Sequence, residues 1–279
     1  MAKTFTEMTN VEASTVLVVD ALNLAFRWKH AGRTDFRFDY LKTVESLATS
    51  YNCGTIILCA DWGSSTYRKG LYPEYKADRK ERFKDQTEAE KIAFEEFFEE
   101  FEASLDLAAE QYTVLRYKGV EADDLAGLIV KNKNQYGFDT IWLVSSDRDW
   151  DLLINDNVNR FSYVTRKEVT LGNWNTHYDV AQENYISYKC LVGDKGDNIN
   201  GIKGIGPKRA VSLIEQYGDV FDIHDAIPID SRYKFIQELN ENADQLLLNV
   251  ELMDLLTYCE EAIGLENVED MNSRLRGII

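Results

Sequence analysis

Three short apolar runs, each closing on acid, set the frame for this chain. Residues 14–20 read STVLVVD, 55–61 read TIILCAD and 140–149 read TIWLVSSDRD. Uninterrupted runs of this length, rich in β-branched residues, are strands buried on both faces. A strand buried on both faces needs a layer above and below it. Helical spacing supplies those layers over 41–51 and 123–135, and 112–119 (YTVLRYKG) is a further predicted strand. Strands alternating with helices predict an α/β fold with a mostly parallel central sheet flanked by helices. Ligands of such sheets gather beyond the C-terminal strand ends, and Asp20, Asp61, Asp147 and Asp149 fall there.

The rest of the 279-residue chain is organised around that sheet. Phe94, Phe97, Phe98, Phe101 and Leu105 recur at helical spacing, which makes one helix face core; the seven acids of 92–110 make its other face solvated. After about residue 180 the stretches VAQENYISYKCLVG, RAVSLIEQY, YKFIQEL and QLLLNVELMDLL all carry helical apolar spacing. The expected division is a core over 1–180 and a helical part over 181–279. No apolar run approaches the ~18 residues of a membrane span, and MAKTFTEMTN is no secretory signal; the expected home is the cytoplasm. Cys53, Cys59, Cys190 and Cys259 form no CxxC pair, so they read as small buried hydrophobes. His30, His177 and His224 lie beside no acid cluster, which argues against histidine catalysis and histidine metal sites.

Net charge is −17, unevenly spread. Residues 68–84 hold seven bases (Arg68, Lys69, Lys76, Arg79, Lys80, Arg82, Lys84) against three acids (Glu74, Asp78, Glu81). Residues 220–279 hold 13 acids and four bases, over half of the net charge. The local field decides what binds, so a polyanionic ligand is not excluded. Tyr72, Tyr75 and Phe83 are interleaved with the bases of 68–84, which suits single-stranded nucleic acid; a solvated amphipathic helix has the same composition.

Acids cluster in three further places. Glu121-Ala-Asp123-Asp124 opens a helix, Asp147-Arg-Asp149 closes a strand, and Asp194-Lys-Gly-Asp197 sits in a turn. Taken singly, each has an ordinary reading as a cap or a solvated turn. Taken together with Asp20 and Asp61 they supply nine carboxylates to one crevice. Mg²⁺ and Mn²⁺ take such hard oxygen ligands. Like charges gathered at this density need cations among them. Two ions roughly 4 Å apart would form the clamp used in phosphodiester hydrolysis. A second motif, Gly204-Ile-Gly206-Pro-Lys208-Arg209-Ala, lies between helical stretches. Its glycines allow close backbone approach and its proline starts a helix, so exposed N–H groups would face an anion beside Lys208 and Arg209. A tight helix–helix turn is the plainer alternative.

The motifs VVDALNLAFR, ADWGSSTYR, YPEYKADR, GVEADDLAG, VSSDRDWDLL and GDKGDNINGIKGIGPKRA run in one order from residue 16 to 210. In that combination the chain resembles a flap endonuclease, or 5′-nuclease, of the short unfused bacteriophage type. The resemblance implies a helical arch (about 68–110) over the active site and a helix–three-turn–helix (about 185–218) that holds duplex DNA. It implies divalent-metal ligands at Asp20, Asp61, Glu121, Asp123, Asp124, Asp147, Asp149, Asp194 and Asp197, with Asp123 and Asp147 central to catalysis. It places Lys76 and Arg79 at the scissile phosphate with Tyr75 beside them, and gives DNA contacts to Gly204, Gly206, Lys208 and Arg209. It implies two or more Mg²⁺ or Mn²⁺ ions, a K⁺ ion at the helix–three-turn–helix, and a monomer acting on branched DNA with a 5′ flap or 5′ end in an infected bacterial cell. Ala21, Ala60 and Arg148 stand where that family commonly carries glycine or a small residue. Two other functions fit parts of the pattern. A Mg²⁺-dependent phosphatase of small metabolites shares the strand-end Asp-x-Asp but has no use for the glycine turn. A non-catalytic junction-binding protein would lack metal ligands, and all nine acids are present.

Overall fold

A computed structural model describes residues 12–78 and 87–279 of the chain. The expected phosphate contact Arg79 lies outside the described residues, as do Lys80, Arg82, Phe83 and Lys84. Six strands make the main sheet: β1 (Glu12–Asp20), β2 (Cys53–Cys59), β3 (Thr113–Leu115), β4 (Thr140–Val144), β5 (Val158–Ser162) and β6 (Lys167–Val169). Their order is β3-β2-β1-β4-β5-β6, and every pair is parallel except β5 with β6. β1 lies at the centre, with Val19 opposite Leu58 on one side and Val144 on the other. The three acid-ending strands therefore finish level with one another.

Alternate β1 side chains enter different cores. Val16 and Val18 join Ile57 on one face, and Leu17 and Val19 join Leu58 on the other, all fully buried. That double burial is why the strand reads as one apolar run; each such side chain contributes about 1.5–3 kcal/mol. One face is covered by α1 (Ala21–His30), α2 (Arg37–Ser50) and, beyond α3 (Thr66–Leu71), by α4 (Glu88–Ala109). On α4 the expected stripe is core at Phe97, Phe101 and Leu105. Glu100 departs from the solvated face assigned to it. Its carboxylate accepts from the backbone N–H groups of Phe36 (3.0 Å) and Arg37 (2.8 Å) and from the Arg37 guanidinium (2.6 Å). The first N–H groups of α2 have no partner within that helix, and Glu100 provides it.

The other face is covered by α5 (Ala122–Lys131) and by the helices after residue 184. These are α6 (Tyr185–Val192), α7 (Pro207–Tyr217), α8 (Val220–Asp225), α9 (Lys234–Glu241), α10 (Ala243–Met253), α11 (Cys259–Ile263) and α12 (Leu265–Leu275). Their apolar faces and the sheet share one core that runs from Val16 to Leu275. The strand predicted over 112–119 stops at Leu115, because Arg116 turns out to pair with Glu102 at 2.6 Å. All four cysteines are free and buried. Trp28 is core, stacked on Phe36 at 5.4 Å. Among the described residues no helix is long and apolar enough to cross a membrane.

Candidate active site

β1 ends at Asp20, which also caps α1. Its carboxylate accepts from the Asn23 N–H (3.2 Å) and the Ser145 hydroxyl (2.7 Å). Burial, then the charges of Asp61 and Asp147, push its pKa up to about 8, against the pull of those two hydrogen bonds. Asp61 follows β2 and accepts from the Ala122 N–H at 2.6 Å, which ties the β2 end to the start of α5. Asp147 follows β4 and opens the 3₁₀ turn Arg148–Leu153; it accepts from the Asp149 N–H at 3.0 Å. On α5, Asp123 accepts from the Trp150 indole at 2.7 Å. Burial pushes its pKa well up; Lys76 pulls it down, but Asp147, Glu121 and Asp61 add to the rise. Asp61 and Asp147, each after a strand end, thus act on both Asp20 and Asp123.

The neighbouring acids are interleaved with lysines. Glu121 sits at the cap position of α5 but makes no capping bond. It accepts from the Lys76 ammonium (2.9 Å) and the Tyr75 hydroxyl (2.7 Å). Burial alone would raise its pKa, but Lys76 and Arg68 hold it below the usual range. The same tyrosine and lysine reach Asp197, at 3.1 and 3.5 Å. Tyr75 is 2% exposed, so it serves these carboxylates and is not presented to a strand. Lys189 bridges Asp149 and Asp194, the latter at 2.9 Å. Burial opposes the charge of Asp194, yet Lys189 and two backbone N–H groups keep its pKa low. The turn that carries Asp194 and Asp197 belongs to a small β-hairpin, where Gly193–Asp194 pairs with Ile199–Asn200.

Asp124 differs from the expectation of a metal ligand. It is fully buried, and both of its oxygens are taken by Arg68, at 2.8 and 2.7 Å. Arg68 is 3% exposed and also donates to the Leu252 carbonyl at 2.7 Å, so it binds α3 to α5 and α10. Burial works against its charge, but Asp124 outweighs that and its pKa is raised. Adjacent positions on a helix point about 100° apart, so Asp123 and Asp124 serve different surroundings. The basic segment accordingly loses Arg68 as a nucleic-acid contact.

Among the described residues, no three His, Cys, Asp or Glu side chains converge as they stand on one point that could hold a metal ion. The donor set nevertheless fits a hard divalent cation: it is all carboxylate oxygen, and the mutual repulsion at Asp20 is what a cation there would relieve.

At the second motif, Gly204 has φ +82°, and Gly206 precedes Pro207 at the first position of α7. Lys208 is exposed. Arg209 instead donates to the Gly204 carbonyl at 2.6 Å and lies over the Phe235 ring at 4.4 Å, bracing the turn. Sequence reasoning missed Ser145, Trp150 and Lys189. A lone base inside the apolar helix YISYKCLV was the available signal for Lys189, which is 6% exposed.

Comparison with known proteins covers both parts of the chain. The family model for the 5′-3′ exonuclease N-terminal resolvase-like domain matches residues 15–184, and that for the 5′-3′ exonuclease C-terminal SAM fold matches 180–274. The flap endonuclease of Escherichia phage T5 is 42% identical over 89% of this chain and 86% of its own length. A crystal structure of the T5 D15 protein co-crystallised with metal ions superposes with a TM-score of 0.90 at 39% identity, covering 95% of this chain and 99% of that one. The T5 D15 flap endonuclease in a pseudo-enzyme–product complex with DNA and metal ions gives the same score and identity, covering 95% and 98%. With both of its halves matched and its acids gathered at one sheet edge, the chain belongs to the 5′-3′ exonuclease family.

Proposed function

We propose that this chain is a structure-specific 5′-nuclease, a flap endonuclease and 5′-3′ exonuclease of phage DNA replication. It hydrolyses a DNA phosphodiester near a single-strand/duplex junction and uses Mg²⁺ or Mn²⁺. The carrying observation is that Asp61 and Asp147 lie in electrostatic range of both Asp20 and Asp123 beyond β1, β2 and β4. The naming of its phage T5 relative as a flap endonuclease, solved with DNA and metal ions, supports the reading.

These four, with Glu121, Asp149, Asp194 and Asp197, would hold the ions; Asp124 supports the site through Arg68. A bound divalent cation supplies charge for the phosphate oxyanions and acidifies an attacking water. The chain's own neutral donors fix the ligands: Ser145 and Asn23 on Asp20, the Ala122 N–H on Asp61, Trp150 on Asp123. Outer hydrogen bonds of this kind orient metal ligands. Burial, then Glu121 and Asp197, raise the Tyr75 pKa, so its hydroxyl stays a donor. Lys76 and Arg79 would meet the scissile phosphate, and Gly204, Gly206 and Lys208 would grip a backbone without reading bases. A K⁺ ion on carbonyls of that turn belongs to the same proposal. A monomer is part of the same proposal.

The test is cleavage of a 3′-labelled 5′-flap DNA in Mg²⁺ and in EDTA, beside the Asp147→Asn variant. Metal-dependent cutting near the junction, lost in the variant, is expected. Full activity in the variant, or cutting in EDTA, contradicts the site.

A further inference from the structure

Behind the Asp147–Asp149 turn lies a polar pocket of about 140 Å³, set against the β5–β6 hairpin. Ser146, Arg148, Arg160, Ser162, Lys167 and His177 line it, with Thr165, Val169 and Tyr178 completing the wall. Arg148 contributes to that lining, and its chain neighbours Asp147 and Asp149 do not. At the ~30 Å³ that a water occupies in the liquid, the pocket has room for about four waters, or one tetrahedral oxyanion.

The walls are built. The Ser146 hydroxyl oxygen accepts from the Val164 N–H and the Ser162 hydroxyl, both at 3.3 Å, and Ser162 in turn accepts from the Thr165 N–H at 3.3 Å. These bonds lock the hairpin to Ser146, in the segment after β4. Below, Arg160 is clamped by Asp151 at 2.8 Å and donates to the Ser145 carbonyl at 2.8 Å, and Tyr178 donates to the same Asp151. That pair is neutral overall. What remains are the Arg148 and Lys167 cations and the His177 ring. Among the described residues these three side chains form no hydrogen bond or ion pair. Two exposed cations without an ion-pair partner thus line one pocket, and Asp147 lies in electrostatic range of the Arg160 that forms its floor. In a chain of net charge −17 acids are plentiful, and basic groups left without partners in a shaped hollow are the mark of a site for an anion.

We propose that this pocket binds a phosphate group, and that the group is a backbone phosphate of the DNA strand passing behind the carboxylate crevice. This second half rests on the nuclease reading. Arg148 then stands between Asp147 and Asp149, two carboxylates that would hold the metal ions, and would itself meet the strand. That arrangement couples strand position to the metal-bearing turn through a single residue.

Two arms test it. In the first, inorganic phosphate is titrated into the free protein in EDTA and followed by ³¹P line broadening, for the parent, Arg148→Ala and Lys167→Ala. In the second, the same proteins bind 5′-flap DNA in EDTA at several salt concentrations. Each phosphate contact contributes about 0.7–0.9 to the slope of log K against log salt, and each variant is expected to lose about that much. Lys167 lies on the hairpin and not on the carboxylate turn, so its variant guards against a distorted Asp147–Asp149 segment. A reduced slope assigns the DNA phosphate. An unchanged slope with weakened phosphate binding overturns the DNA half and leaves a site for free phosphate. Unchanged behaviour of both variants in both arms overturns the proposal entirely. The phosphate arm uses neither DNA nor cleavage, so its result is separate from any failure of the nuclease reading.

Discussion

Asp123 and Asp124 are chain neighbours with opposite circumstances. Asp124 gives both oxygens to Arg68 inside the protein. Asp123 has one indole donor and otherwise faces Asp147, Glu121 and Asp61. The same division runs through the whole molecule. Asp151, Glu100 and Asp124 each hold a guanidinium and join elements together. Asp20, Asp61, Asp123 and Asp147 repel one another at the sheet edge. Folding accounts for the first group. The second group works against folding, and a cation accounts for it. Carboxylates held together at a cost to the fold mark the functional site more clearly than their number does.

The comparison is most exposed to failure at Asp124. Asp124→Asn strands the buried Arg68 charge and should cost about 3–5 kcal/mol in urea unfolding. A small loss there would erase the distinction between the two groups. Asp147→Asn should behave oppositely: cleavage falls by more than the ~10–100-fold that outer-shell partners cost, while DNA affinity in EDTA holds and metal-free stability does not drop. The next effect is on pH. Asp20 has a folded pKa of about 8 against an ordinary 3.8. The native state therefore binds the proton more tightly than the unfolded chain. Stability of the metal-free protein should fall as pH rises across that window, by up to about 1.4 kcal/mol per pH unit for one proton. Asp20→Asn should flatten the slope, as should saturating Mg²⁺; pH-dependent melts in EDTA and in Mg²⁺ check both. Smallest is Ser145→Ala, which removes the O–H donor to Asp20. It should cost about 0.5–1.5 kcal/mol and extend the fall in stability to higher pH in the same melts.

How far the sequence could be read depended on burial. β1, β2 and β4 are enclosed on both faces, so they appear as unbroken apolar runs, and the acids that end them are placed by the same reading. β5 and β6 were not visible, because VNRFS carries Asn159 and an Arg160 that is buried only through its pairing with Asp151, and KEV carries Lys167 and Glu168 at a sheet edge, where polar residues guard against further pairing. Site residues followed a similar rule. The acids of Glu121–Asp124 were legible as a cluster, but which of them turns to Arg68 depends on α3, which is more than 50 residues away in sequence. Lys189 and Lys76 as internal counter-charges, and Glu100 as a cap for α2, are likewise products of long-range packing that spacing alone does not encode.

The most direct test of this division is one melting experiment in EDTA at pH 8 on the parent, Asp20→Asn and Asp124→Asn. The substitution is the same at both sites. The account predicts that Asp20→Asn melts above the parent and Asp124→Asn well below it. If both variants melt below the parent, Asp20 is held in place for the fold's sake, and the carboxylate crevice is not the site that its charges indicate.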